Sequence, residues 1–383
     1  MKKLFYFGIL GLLLFEIANV YFIMPMPGSQ EMNSIDFAYF LNKWRWAFRI
    51  VFGLMALIGA RVAFSGLTGW KRWLPALPIL ATGFVAYAAN FEMSADTMFY
   101  QPKTLSVRDL SESKLDSTRL VLGVEYGGEA VAYPIQYLGY HHQVRDIIAG
   151  KPIMVTYCTV CRTGRVYEPL VNNQPEVFRL VGMDHFNAMF EDETTKSWWR
   201  QVTGEAITGP LKGQMLPEYP SMQMSLAKWS ALHPNTFVML PDPAFQEEYD
   251  SLANYELGSR KGKLTRRDIA SWQEKSWVIG VEMDKASKAY DWNEVQKQRL
   301  IQDEIGGQPI ALALSRDSNS FVAVQRTDAS QQFLLRNDTL ISGENYYNFE
   351  GKSLQPNVPD LQRIRAYQEY WHSWRTFHPM TEQ

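Results

Sequence analysis

Cys158 and Cys161 are the only thiols in a chain of 383 residues, and just Thr159 and Val160 separate them. A disulfide across so short a loop gives the least entropic stabilisation a crosslink can supply, which makes a purely structural bridge an uneconomical reading. Thioredoxin-type chemistry requires the first cysteine at a helix N-terminus, where the dipole lowers its pKa. Here the pair follows the strand-like Ile153–Tyr157 and precedes Arg162-Thr163-Gly164, a poor helix start. Arg162 and Arg165 still favour a thiolate by charge. Covalent haem attachment needs histidine directly after the second cysteine, and Arg162 stands there. Two thiolates are also half of a tetrahedral soft-metal site. A buried pair of inert thiols is the remaining reading.

The other halves of such a site are scarce, since the histidines are His141, His142, His185, His233, His372 and His378. His141 and His142 lie just before the cysteine strand and His185 just after the next one. The expected metal set is therefore Cys158, Cys161, His141 and His185, holding copper or zinc, with Met183 a further soft candidate. Any single histidine alone reads first as a hydrogen-bonded or surface residue. From Met183 to Gln201 the chain is dense in polar groups and indoles. Asp192, Trp199 and Gln201 could line a pocket there, or the stretch is a turn with Trp198 and Trp199 packed between halves. No Ser-His-Asp motif, Walker loop, dinucleotide fingerprint or HExxH occurs.

The elements that must position these residues occur twice in the sequence. Shifted by 157 residues, Leu120–Val155 lies without a gap on Trp277–Leu312. Gly123-Val124-Glu125 falls on Gly280-Val281-Glu282 and Ala132-Tyr133 on Ala289-Tyr290. Asp146-x-Ile148-x-Gly150-x-Pro152 falls on Asp303-x-Ile305-x-Gly307-x-Pro309. With gaps, Trp229-x-x-x-His233-Pro234 is echoed by Trp374-x-x-x-His378-Pro379, which assigns His233 and His378 a structural role. Ser315 and Ser318 stand where the cysteines would be, and Gln298 and Arg299 where His141 and His142 would be. A duplicated scaffold with thiols in one half implies one functional site supported by a degenerate partner.

Composition bounds the class. A net charge of −2 gives no basic footprint, which excludes nucleic acid as a partner. The first ninety residues carry three apolar runs, Leu4–Ile23, Trp46–Phe64 and Trp73–Phe91. Each approaches the ~20 residues that span a bilayer core, and Trp44, Trp46, Trp70 and Trp73 suit its interfaces. A cleaved signal peptide is the alternative for the first run, but two more runs follow it. Lys2, Lys3, Arg61, Lys71 and Arg72 place the N-terminus in the cytoplasm, with Lys43, Arg45 and Arg49 on the opposing side. The remainder is then extracytoplasmic, on an inner-membrane anchor, where thiols persist as a disulfide or hold a soft metal.

From Thr104 the texture becomes β-like. Arg119–Glu125, Lys151–Tyr157, Val177–Val181, Phe237–Leu240, Ser276–Glu282, Pro309–Leu314 and Ser320–Gln325 read as strands. Ile135–Ile148, Ala244–Tyr255, Tyr290–Glu304 and Leu361–Phe377 read as helices. The expected fold is α+β and sheet-dominated: residues 1–95 a three-helix membrane anchor, 104–240 a first repeat, 241–276 a linker and 277–383 a second, degenerate repeat.

On these residues the soluble part resembles the DUF3179 family, over about Leu105–Pro379. The resemblance rests on Gly123-Val124-Glu125 with Ala132-Tyr133-Pro134-Ile135, on His141 before Arg145-Asp146, and on Gly150 through Cys158. It continues through Asp192-x-x-Thr195-x-Ser197-x-Trp199-x-Gln201 and Gly204-Glu205-Ala206-Ile207-x-Gly209-Pro210-Leu211. It implies no activity. It favours cysteine at position 158 more strictly than at 161, which makes Cys158 the central residue. It also implies an acid where this chain has His142. The leading expectation is soft-metal handling at a Cys/His site of a membrane-anchored protein. Thiol redox chemistry on a non-thioredoxin scaffold and a non-enzymatic binding or assembly module are the alternatives.

Overall fold

Long uninterrupted apolar runs favour helix where no water competes for the backbone, and the N-terminal region follows that rule. The computed structural model describes residues 1–383, which divide into two compact units. Unit 1 comprises Met1–Tyr100, Glu176–Arg200 and Glu205–Met215; unit 2 comprises Gln101–Pro175, Gln201–Gly204 and Leu216–Gln383.

Unit 1 holds three helices long and apolar enough to cross a membrane, Lys2–Tyr21, Arg45–Phe64 and Gly69–Glu92. The third opens with a 3-10 turn, and Pro75 caps its central segment Ala76–Tyr87, a place where a missing N–H is harmless. Small residues bring the first two helices together, since a Cβ on Gly8 would strike the Phe52 and Ala56 backbone. The buried Glu16 carboxylate is fully engaged by Arg49 Nε at 2.7 Å, Arg49 Nη2 at 2.9 Å and Asn90 Nδ2 at 2.9 Å. Charge within a bundle is tolerated in that paired form. The same unit contains a four-stranded antiparallel sheet in the order Ala206–Thr208, Trp198–Arg200, Asn187–Asp192, Phe178–Asp184. Its Val181, Met189, Trp198 and Ile207 share a core with Val20, Ile23, Met24 and Ala38.

Unit 2 is built from sheet. One five-stranded sheet runs Val107–Asp109, Phe237–Met239, Glu129–Pro134, Leu120–Tyr126, Met222–Ser225. A three-stranded sheet, Gln143–Ile148, Lys151–Cys158 and Thr163–Tyr167, carries the cysteines. A six-stranded sheet runs Ala286–Asp291, Trp277–Met283, Arg363–Tyr370, Phe321–Gln325, Gln308–Leu314, Leu300–Ile305. The α+β, sheet-rich class with three N-terminal apolar helices is thus the observed one. Strands Leu120–Tyr126, Glu129–Pro134 and Gln143–Ile148 and helix Ile135–His141 have elements of the same type and length 157 residues on, Trp277–Met283, Ala286–Asp291, Leu300–Ile305 and Trp292–Gln298.

The helix expectations ran too long. Ile135–Ile148 is helical only over Ile135–His141, because His142 takes a left-handed φ of 62° and returns its N–H to Leu138 O. That is a helix C-cap, and the β-branched Val144, Ile147 and Ile148 beyond it pair with the cysteine strand. Tyr290–Glu304 ends the same way at Arg299, φ 64°. Within Leu361–Phe377, Arg363–Tyr370 is strand and only Trp371–Phe377 is helix. Ala244–Tyr255 contains the short helix Gln246–Ser251.

Two glycines at matching positions are fixed by close approach. A Cβ on Gly123 would overlap the Trp229 ring, and one on Gly280 would overlap Trp374. Gly123→Ala and Gly280→Ala are each expected to cost about 2 kcal/mol through overpacking of a buried indole. Denaturant titration of the full chain in detergent checks this. Wild-type midpoints in both variants would refute it.

Candidate functional site

Cys158 closes the strand Lys151–Cys158 and pairs across the hairpin with Thr163, so Thr159–Arg162 form the turn. Arg162 supplies the left-handed residue that ends it, at φ 59°. Both cysteines are buried and are not joined in a disulfide. The turn is held by its carbonyls. Tyr255 Oη donates to Thr159 O at 3.0 Å, Lys275 Nζ to Val160 O at 2.7 Å, and Tyr370 N to Cys161 O at 2.8 Å. Gln201 Nε2 donates to Thr156 Oγ1 at 3.0 Å and Thr163 O at 3.2 Å, one bond to each arm of the hairpin.

Positive charge surrounds the dithiol. Lys275, itself buried, has its ammonium 3.0 Å from His372 Nε2, which also lies 3.1 Å from Val160 O. Burial pulls the Lys275 pKa down to about 8, against the opposing pull of negative charge on Cys161 and Cys158. Lys275 is therefore an ammonium at neutral pH, and its charge interacts with both cysteines. Burial and that ammonium together push His372 down to about 3, so it is a neutral imidazole whose Nε2 can accept a hydrogen bond from the ammonium. Arg162 is buried over the Trp277 ring at 3.7 Å and donates to Gln368 Oε1 at 3.0 Å and Glu256 O at 3.0 Å. Arg165 is buried against Glu369, Nη2 to Oε1 2.7 Å. Of these cations, Lys275 is the one whose charge acts on both cysteines, while Arg165 is paired with Glu369.

The sequence-derived site residues fall in different places. His141 Nε2 lies 2.6 Å from Tyr249 Oη. His142 is buried with Nδ1 3.0 Å from Tyr140 O, and burial lowers its pKa to about 4. His185 belongs to unit 1, where Nδ1 pairs with Asp184 Oδ1 at 2.7 Å. Asp192 and Trp199 are also in unit 1, and both are buried. Asp192 Oδ2 accepts Thr195 Oγ1 at 2.8 Å, Ser197 N at 3.0 Å and Trp199 Nε1 at 2.9 Å, binding the turn to the sheet. Gln201 is in unit 2, on the cysteine hairpin.

Sequence reasoning passed over Lys275 and gave His372 no role. A signal existed. At the repeat offsets Lys275 answers to Thr118 and His372 to Ala227, so both depart from the scaffold pattern as the cysteines do. Ser315 and Ser318 show the alternative, a turn without thiols closed by hydrogen bonds to charged side chains: Ser315 Oγ donates to Asp338 Oδ2 at 2.9 Å and Arg299 Nη1 to Ser318 Oγ at 2.8 Å.

A second cluster joins His233 Nε2 to Glu350 Oε1 at 2.5 Å, with Glu125 close by; these three donor atoms lie within 4.8 Å of one another and could hold a cation. The ammonium of Lys352 is already 2.9 Å from Glu125 Oε2 and 3.4 Å from Glu350 Oε2. His378 forms a similar pair with Glu282 at 2.9 Å and stacks on Trp374 at 3.7 Å. Each histidine follows the end of a short helix, and His378 closes its helix onto the strand Trp277–Met283 through Glu282.

Fold and site together define a sheet-rich α+β protein with three apolar helices and a buried dithiol at a β-hairpin tip. The profile of the protein family of unknown function DUF3179 matches residues 99–381, and the chain belongs to that family. No curated protein and no solved structure matches it.

Proposed function

We propose that this is a membrane-anchored protein whose Cys158–Cys161 pair performs thiol–disulfide chemistry on a non-thioredoxin scaffold outside the cytoplasm. The observation that carries the reading is the Lys275 ammonium fixed on the dithiol turn by Val160 O. An ammonium there stabilises a thiolate. In the forward step one cysteine thiolate attacks a disulfide of a partner and forms a mixed disulfide. The second cysteine, losing its proton, then displaces the partner, which leaves with two electrons as a dithiol. The duplicated scaffold belongs to the same reading, with the second half degenerate at Ser315 and Ser318.

Soft-metal handling is the second reading, favoured by two sulfurs presented on one rigid turn. Copper or zinc would be held by Cys158 and Cys161 with His141. The nearby Lys275 and Arg162 charges weigh against a cation and put redox chemistry first.

The full chain in detergent, equilibrated in glutathione buffers, is expected to form a Cys158–Cys161 disulfide reversibly. Lys275→Met removes charge that stabilises the reduced thiolate, so the potential should become more negative by about 30 mV, a tenfold change in equilibrium constant. Failure to form any disulfide at any poise would end the redox reading. Stoichiometric Cu(I) or Zn(II) binding, lost in Cys158→Ser and weakened in His141→Ala, would put the metal reading in its place.

A further inference from the structure

Unit 1 contains a cavity of about 580 Å³, a size typical of ligand sites. Its wall includes Asn19 near the end of the first apolar helix, Arg45 at the start of the second and Asn90 near the end of the third. The sheet residues Arg179 and Glu191 and the turn residue Lys196 also line it. The cavity therefore sits where all three helices leave the apolar stretch, the level at which a bilayer carries its headgroups.

We propose that this cavity binds the headgroup of an anionic glycerophospholipid bearing hydroxyl groups, of the phosphatidylglycerol type. Charge points there first. Arg179 is neutralised within the wall by Glu191 at 2.9 Å and by Asp96 at 3.0 Å. Lys43, Arg45 and Lys196 have no carboxylate partner, and Arg45 spends one Nη1 on Asn42 O and Oδ1. Three unneutralised cations around one cavity suit a phosphate, which takes charge-assisted bonds from both lysine and arginine.

A second observation concerns the deep end. Asn19 Oδ1 is buried without a donor, a costly state for an amide oxygen. A headgroup hydroxyl would satisfy it by donating its O–H. Asn90 does not compete for that ligand. Its amide donates to Glu16 Oε2 at 2.9 Å and Ala86 O at 2.7 Å, and its oxygen accepts from Arg49 at 2.8 Å. The floor is thus closed and charge-balanced, while the rim is positive. Val20, Ile23 and Met93 complete the wall with apolar surface against which the glycerol and first methylenes can lie. Lys43 and Arg45 sit at the membrane face where basic residues are normally depleted, and a phosphate partner gives them a physical reason to be there.

The test uses the full chain in detergent, stripped of lipid and titrated with short-chain phosphatidylglycerol, short-chain phosphatidylcholine and inorganic phosphate, with retained lipid counted by native mass spectrometry. Saturable phosphatidylglycerol binding is expected, at least tenfold tighter than phosphatidylcholine and than phosphate. The triple variant Lys43→Gln, Arg45→Gln, Lys196→Gln should weaken it by about 100-fold, from roughly 1 kcal/mol per interfacial cation. Lys196→Glu, on an exposed turn, gives the same direction should the triple variant fold poorly. Equal binding of the two lipids, or wild-type binding by the variants, overturns the proposal. Phosphate binding as tightly as phosphatidylglycerol overturns the lipid assignment.

Discussion

Taking the full chain from pH 7 to pH 4 is expected to remove on the order of 5 kcal/mol of folding stability through two buried histidines. His372 and His142 have their pKa values lowered from 6.5 to about 3 and about 4. For each the largest cause is burial; the Lys275 and Arg375 charges add to it at His372, and His141 at His142. The unfolded chain takes up both protons below 6.5, and the folded chain refuses them until its own lower values are reached. Stability is therefore full above 6.5 and falls continuously as pH drops towards 4 and 3. Lys275, charged in both states below about 8, adds no slope in this window. Glu218 and Glu256, whose pKa values burial raises, oppose the loss because the folded chain protonates them more readily. Glu350 and Asp317, held low by hydrogen bonds that outweigh burial, reinforce it at the acid end. Thermal unfolding in detergent at stepped pH reads the effect, and His372→Gln should remove about half the slope. A flat Tm between pH 7 and pH 4 would sink the argument.

The sequence disclosed the parts of this site that break a pattern and hid those that merely occupy it. Cys158 and Cys161 stood out because they are the only thiols and because Ser315 and Ser318 answer to them. The three apolar helices were legible because length and hydropathy suffice to define them. The strand preceding the cysteines was legible too, from its Val and Ile content. What escaped was long-range placement. Lys275 lies 114 residues after Cys161, and only the fold of unit 2 places its ammonium on the Val160 carbonyl. His372 was visible as a histidine, yet periodicity could not place it, because the expected helix over Leu361–Phe377 begins only at Trp371. Strand Arg363–Tyr370 was missed because its apolar positions also fit a helical face. The left-handed turns at His142 and Arg299 end their helices without the glycine that normally announces such a cap. Nor could the sequence show that residues 176–200, His185 among them, belong to the unit that contains the apolar helices.

Glu369→Ala is expected to destabilise the protein by about 3–5 kcal/mol, because it strands a buried arginine. Arg165 and Glu369 are both within 1% of full burial. Glu369 Oε1 accepts from Arg165 Nη2 at 2.7 Å and from Thr163 Oγ1 at 2.8 Å, and Oε2 accepts from Ser373 Oγ at 2.8 Å. With Glu369 removed, the nearest carboxylate to Arg165 is Glu218, at 3.8 Å. The guanidinium lies over the Tyr367 ring at 3.2 Å and is buried from solvent. The cost is that of an uncompensated charge rather than of lost attraction, so replacing both partners should behave differently from replacing one. Arg165→Met with Glu369→Met is expected to recover most of the loss. If the double variant is as unstable as Glu369→Ala, packing rather than charge holds this interface. The same pair bears on the dithiol, since Thr163 faces Cys158 across the hairpin. Loosening Glu369 should therefore speed alkylation of the cysteines in the native protein, and the double variant should slow it again. Alkylation rates that ignore both changes would show that the hairpin tip is held by Tyr255, Lys275 and Tyr370 alone.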